Sequence, residues 1–154
     1  MSTTISTPNL SEAQKQILKS QNEKPIIVKS QTLEFNRAIL EYGKFNVLLS
    51  PEKHSEKPKD KPKALDSGLN HVLAKIAAKN KIAVGIEIQE ISNLEKKEKA
   101  QRLARIKQNI KICRKAKCQF AIINYKDKID SFNFLLSLGA STQQAKEAIY
   151  YKGD

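Results

Sequence analysis

The apolar positions of this chain fall into short β-branched runs, separated by longer stretches in which apolar residues recur every three or four positions. The first pattern predicts buried strands and the second amphipathic helices. Ile26-Ile27-Val28, opened by Pro25, is the first run; residues 45–49, stopped by Ser50-Pro51, are the second. Residues 82–88 and 119–124 supply two more. Between them, Thr32 caps a helix carrying Leu33, Ala38, Ile39 and Tyr42, and Gly43 ends it. A third helix starts near Ser67 and sets Leu69, Leu73, Ile76 and Ala77 on one side. A long helix follows within residues 94–117, with Leu103, Ile106, Ile110 and Cys113 as its buried stripe. Two helices close the chain, over 128–138 with Gly139 as the stop and over 141–150 with Ser141 as N-cap.

Two segments lack these patterns. Residues 1–24 are polar, and a short helix capped by Asn9 or Ser11 is amphipathic only weakly, through Ala13, Ile17 and Leu18. They read as a tail, mobile at least to Pro8. Residues 51–63 hold three Pro and five Lys with nothing to bury, and read as a flexible loop at the carboxyl end of the second strand.

The order β-α-β-loop-α-β-α-β-α-α predicts an α/β fold of parallel βα units in a single domain over residues 25–154. Strands that are apolar throughout imply a parallel sheet covered on both faces. Four strands do not close an eight-stranded barrel, which takes about 250 residues. The sheet is therefore either small and open or a portion of a barrel.

Composition changes the picture at one place. The chain has no Trp, so its core rests on Ile, Leu, Val and Ala. Residues 94–117 hold ten basic side chains against Glu95 and Glu98, a net of +8 out of the chain's +12. Such a protein attracts polyanions. A membrane is the weaker candidate, because no apolar run reaches spanning length and the first residues lack a signal-peptide layout. Cys113 and Cys118 are too few for a disulfide framework and read as buried, reduced thiols of a soluble cytoplasmic protein.

A search for catalytic chemistry comes back thin. His54 sits in the Pro/Lys loop and reads as solvated. His71, with Lys75, falls on the polar side of its helix and faces solvent, a loop or a partner. No other ligand stands at metal-binding spacing from it. Gly68 and Gly85 are isolated, so no phosphate loop is present; no Ser stands in a nucleophile elbow; Glu87 and Glu90 are too few to propose a pair. Asp66 or Ser67 can cap the third helix, either as an ordinary cap or as a cap whose free amides hold phosphate. No catalytic residue, metal or cofactor is expected.

Lys97, Arg105, Gln108, Lys111 and Lys115 fall roughly opposite the buried stripe of the long helix. Solvated helix faces usually mix signs, whereas like charges three and four apart cost a few tenths of a kcal/mol each. An almost purely positive face suggests a counter-charge from outside, nucleic-acid phosphate above all. No aromatics interleave with it, so backbone and shape contacts fit better than base stacking. The candidate RNA-binding residues are Lys97, Arg102, Arg105, Lys107, Lys111, Arg114 and Lys115.

The run Asp66-Ser67-Gly68-Leu69-Asn70-His71-Val72-Leu73-Ala74-Lys75, followed by Ile82-Ala83-Val84-Gly85-Ile86, resembles the ribonuclease P protein component 3 family. This is the archaeal relative of the thirty-kilodalton protein subunit of eukaryotic ribonuclease P. The likeness extends upstream to residues 46–51 and downstream through 102–114, 120–124, Leu136-Ser137-Leu138-Gly139 and Gln144-Ala145-Lys146. It marks Asp66, Gly68, Asn70, His71 and Lys75 as motif residues. It implies a TIM-barrel-like fold without the metal ligands of its hydrolase relatives. It also implies a subunit of an RNA-based endoribonuclease that removes the 5′ leader from precursor tRNA. The implied partners are the catalytic RNA, precursor tRNA and other protein subunits of the complex. The barrel's first strands are missing from this chain, which leaves a free edge near residues 26–28 for a second copy (a homodimer) or a partner protein. A metal-dependent hydrolase and a basic RNA-binding scaffold unrelated to tRNA are the rival readings.

Overall fold

The computed structural model describes residues 2–53 and 57–153. In chain order the elements are β1 (Thr3–Ile5), α1 (Leu10–Lys19), β2 (Ile26–Lys29), α2 (Leu33–Tyr42), β3 (Val47–Leu49) and α3 (His71–Lys79). Then come β4 (Ala83–Glu87), α4 (Ile88–Ser92), α5 (Lys96–Ala116), β5 (Phe120–Ile123), α6 (Lys128–Ser137) and α7 (Thr142–Ile149). The strands form one five-stranded sheet in the order β1-β2-β3-β4-β5, each pair parallel.

Sequential order decides between the two architectures left open by the sequence. Each parallel crossover is right-handed by rule, so strands added one after another in the same direction send every helix to the same face. One alternate set of strand residues (Ile26, Val28, Leu48, Val84, Ile86, Phe120 and Ile122) lies in the main core with the buried side chains of the helices. The other set, Ile27, Val47, Leu49, Ala83 and Ala121, forms a separate cluster with Ile123 and Tyr151. Helices therefore cover one face, as on the outside of a barrel, and not both faces as expected. On the inner face there is no room for a side chain at Gly85: a Cβ there would meet Val47 Cγ1 at 2.6 Å. The segment after α7 crosses the amino ends of the strands. There the Tyr151 hydroxyl donates to Asn46 O (3.0 Å), and Asn46 Nδ2 donates to Gly153 O (3.0 Å).

The polar first residues do not form a separate tail. Thr3–Ile5 pair with β2, and α1 completely buries Ala13 and Ile17; a buried Ile side chain contributes about 1.5–3 kcal/mol. Asn9 caps α1, its Oδ1 accepting from Glu12 N at 3.0 Å. The edge at residues 26–28, expected to be free for a second copy or a partner, is occupied by the chain's own β1. The local signals elsewhere hold: Thr32 caps α2, and Ser141 with Gln144 forms a full capping box on α7. α5 ends at Lys117, whose left-handed conformation (φ 58°) brings Cys118 N to Cys113 O at 2.9 Å. That turn seats both cysteines in the core as free thiols, where the Cys118 thiol and burial together raise the Cys113 pKa.

Candidate nucleic-acid interface

α5 has two inward surfaces rather than one. Ile106, Ile110 and Cys113 face the sheet, as their spacing requires. Arg102, Arg105 and Asn109 are buried too, and Gln108 is half-buried, because the loop leading to α3 lies along that flank of the helix. Arg105 is 9% exposed; its Nη2 meets Asp60 Oδ2 at 2.7 Å and its Nε donates to Asp66 O at 3.1 Å. Gln108 Nε2 donates to Leu65 O (2.8 Å) and Ser67 Oγ (2.9 Å), its Oε1 accepts from Leu65 N (3.0 Å), and Asn109 Nδ2 donates to Ser67 O (3.1 Å). The expectation that Arg105 and Gln108 face solvent is corrected. An apolar periodicity marks the side that meets the sheet and carries no trace of a polar flank that meets a loop.

Arg102, read as a candidate RNA-binding residue, is buried as well. It is 8% exposed, with Nε 3.2 Å from Glu52 Oε1, Nη1 3.4 Å from Glu90 Oε1 and Nη2 3.4 Å from Ser50 Oγ. Lys53 Nζ joins the cluster at 2.6 Å from Glu90. Burial pushes the Glu52 carboxyl above the ordinary glutamate range, against the pull of Arg102, and Glu52 Oε2 has no partner among the described residues. For Glu90, partial burial pushes upward, but the hydrogen bond from Lys53 and the charge of Arg102 outweigh it and hold the carboxyl low. Both guanidinium groups are thus consumed by carboxylates at the carboxyl end of the sheet.

The motif residues 66–75 organise the same place. α3 starts at His71, not near Ser67: Asn70 is the N-cap, its Oδ1 accepting from Leu73 N at 2.9 Å. Asp66 does not cap the helix but shapes the loop. Its carboxylate accepts from Lys59 N (2.9 Å), and its own N donates to Asp60 Oδ1 (2.7 Å). Gly68 has φ +72° and lies so close to Pro51 that a Cβ would stand 1.7 Å from the Pro51 carbonyl oxygen. His71 and Lys75 are exposed on the outer side of α3, and His54 lies outside the described residues.

With Arg102 and Arg105 removed, the outward side of α5 still presents Lys97, Lys107, Lys111, Arg114 and Lys115, all exposed. Arg114 also donates to Gly139 O at 2.8 Å. Lys107, Lys111 and Lys115 step by four, so they stand in a row about 6 Å apart along the axis. α3 packs beside α5 and repeats the step with His71, Lys75 and Lys79, also exposed. Sequence reasoning singled out Lys75 only as a motif residue and passed over Lys79 and the loop lysines. Their signal was present in the Lys-X-Lys repeat of residues 57–63. Among the described residues no group of three or more His, Cys, Asp or Glu could hold a metal ion, and no helix is long and apolar enough to cross a membrane.

Comparison with known proteins gives one consistent result. Ribonuclease P protein component 3 of Methanococcus maripaludis strain C7 is 26% identical over 112 residues, which is 72% of this chain and 44% of the relative. Its similarity is to ribonuclease P protein component 3. The protein of that name from Methanocaldococcus jannaschii is 28% identical over 90 residues, covering 58% of this chain and 35% of the relative. The chain thus spans less than half the length of the curated relatives it matches. No family model matches it. A chain in the cryo-EM structure of archaeal ribonuclease P with mature tRNA superposes with a TM-score of 0.76 over 96% of this chain and 63% of that one, at 24% identity. The crystal structure of an uncharacterised protein superposes with a TM-score of 0.52 over 90% of this chain and 33% of that one, at 9% identity. These two superpositions bear out the α/β fold.

Proposed function

We propose that this chain is an RNA-binding, non-catalytic protein subunit of a ribonuclease P, which supports the catalytic RNA in removing the 5′ leader from precursor tRNA in the cytoplasm. Its partners are the catalytic RNA, the precursor tRNA and the other protein subunits. The observation that carries this reading is the one-sign cationic outer face of α5, flanked by the lysines of α3. Every exposed charge on α5 beyond Glu98 is positive. The inward arginines already hold carboxylates, so the outward cations remain to meet phosphate. The similarity to ribonuclease P protein component 3 supports ribonuclease P as the complex to which the chain contributes.

The test is reconstitution of precursor tRNA cleavage by the cognate RNA with and without the chain, together with RNA affinity measured across salt concentrations. Replacing Lys107, Lys111 and Lys115 by Ala lowers the salt slope by about 2–3 if each neutralises one phosphate. An unchanged affinity and slope, or a chain with no effect on cleavage, overturns the reading.

A further inference from the structure

The loop over residues 57–63 is neither apolar nor free. Asp60 is exposed, yet both its carboxylate oxygens are engaged: Oδ2 with Arg105 Nη2 at 2.7 Å and Oδ1 with Asp66 N at 2.7 Å. Lys59 N is tied to the Asp66 carboxylate at 2.9 Å, and Lys61 and Ala64 exchange backbone hydrogen bonds at 2.9 and 3.2 Å. The Asp60–Arg105 pair and the Lys59 N–Asp66 bond fix the loop against α5 and leave the lysine side chains of the loop in solvent. Lys57, Lys59, Lys61 and Lys63 are all exposed, and none has a carboxylate partner among the described residues. Pro58 and Pro62, between the lysines, restrict the backbone further.

We propose that residues 57–63 form a second, preorganised phosphate-binding arm, which continues the cationic face of α5 onto the carboxyl end of the sheet. Arg105 and Asp60 are its positioning residues. The ligand is the sugar-phosphate backbone of folded RNA, and the inference rests on the RNA-binding reading above. The arrangement explains two features at once. A run with this composition, free in solution, loses backbone freedom when it binds. Here part of that freedom is already removed by a clamp: Arg105 and Asp66 hold Asp60 and Lys59, while Gln108 and Asn109 fix residues 65–67 next to them. The clamp also accounts for the polar flank of α5, which packing against the sheet does not require.

The experiment measures binding of the full chain to a precursor tRNA transcript as a function of salt, with urea unfolding of each variant as a control on folding. Lys57, Lys59, Lys61 and Lys63 are changed together to Ala in one variant, and Asp60→Asn is made alone. The fourfold variant is expected to flatten the salt slope by about 3–4, if each lysine neutralises one phosphate, with little change in stability. Asp60→Asn supplies the sharper sign. It makes the protein more positive, so simple electrostatics predicts tighter binding; loss of the clamp predicts weaker binding, by roughly three- to tenfold if one or two phosphate contacts are lost. In the fourfold background Asp60→Asn has no further effect. Faster tryptic cleavage within residues 57–63 in Asp60→Asn reads the released loop independently of RNA. If the α5 lysine variant weakens binding while the loop variant does not, or if Asp60→Asn tightens it, the arm is refuted and the RNA-binding reading stands. If neither lysine variant has an effect, the RNA-binding reading itself fails.

Discussion

Gly68→Ala is the substitution whose cost the structure specifies most completely. Two terms apply. An L-residue at φ +72° pays about 1–2 kcal/mol for the left-handed conformation. The added Cβ would also stand 1.7 Å from the Pro51 carbonyl oxygen and 2.6 Å from its carbon, so one backbone segment must move. Either movement breaks contacts already described. Residues 65–68 hold Asn109 Nδ2 at 3.1 Å and Gln108 Nε2 at 2.8–2.9 Å, whereas residues 50–52 hold the buried Glu52–Arg102 pair. Losing two or three hydrogen bonds at about 1 kcal/mol each brings the total to about 3–5 kcal/mol. Gly139→Ala is the internal control. Gly139 has φ +91° and nothing within 4 Å of the added Cβ, so it pays the conformational cost alone, about 1–2 kcal/mol. The reduced entropy of the unfolded chain is common to both variants and cancels in the comparison. Urea unfolding of the three proteins, with slopes confirmed equal, reads the difference directly. Losses equal to within about 0.5 kcal/mol would show that Gly68 does not press on Pro51, and the account of the motif glycine would be wrong.

His71→Ala removes an exposed side chain at the start of α3, so stability shifts by less than about 0.5 kcal/mol while assembly with RNA or a protein subunit weakens; a large loss of stability with assembly intact would make His71 structural. Glu52→Gln tests the buried carboxylate through pH. A folded-state pKa above the unfolded value means that the folded chain binds the extra proton, so stability falls as pH rises from the unfolded value of about 4.3 through the raised folded value. Unfolding measured from pH 4 to 8 should show this falling component in the parent and not in Glu52→Gln, in which the slope from Glu90, of opposite sign and confined to more acid pH, remains. Parallel pH profiles for the two proteins would refute the burial argument.

What could be read from the chain alone was whatever is decided within a few residues. Asn9, Thr32 and Ser141 cap helices because a side-chain oxygen reaches an amide two or three positions on. The β-branched runs at 26–28 and 82–88 form strands because they must be buried on both faces. The ribonuclease P likeness was legible for the same reason, since its motif is contiguous. Elements held by distant partners were not legible. Thr3–Ile5 is polar enough to pass for a tail and becomes a strand only because β2 offers an unpaired edge. Asp66 and Ser67 were read as the caps of α3, whereas Asn70, whose Oδ1 accepts from Leu73 N, holds that position. Arg102 and Arg105 looked like surface charge in a positive run, and the arrival of Glu52, Asp60 and Glu90 from other segments turned them inward. Periodicity reports one helix face at a time; which charges face water depends on what else packs against that helix. Only docking of the loop against α5 determined that.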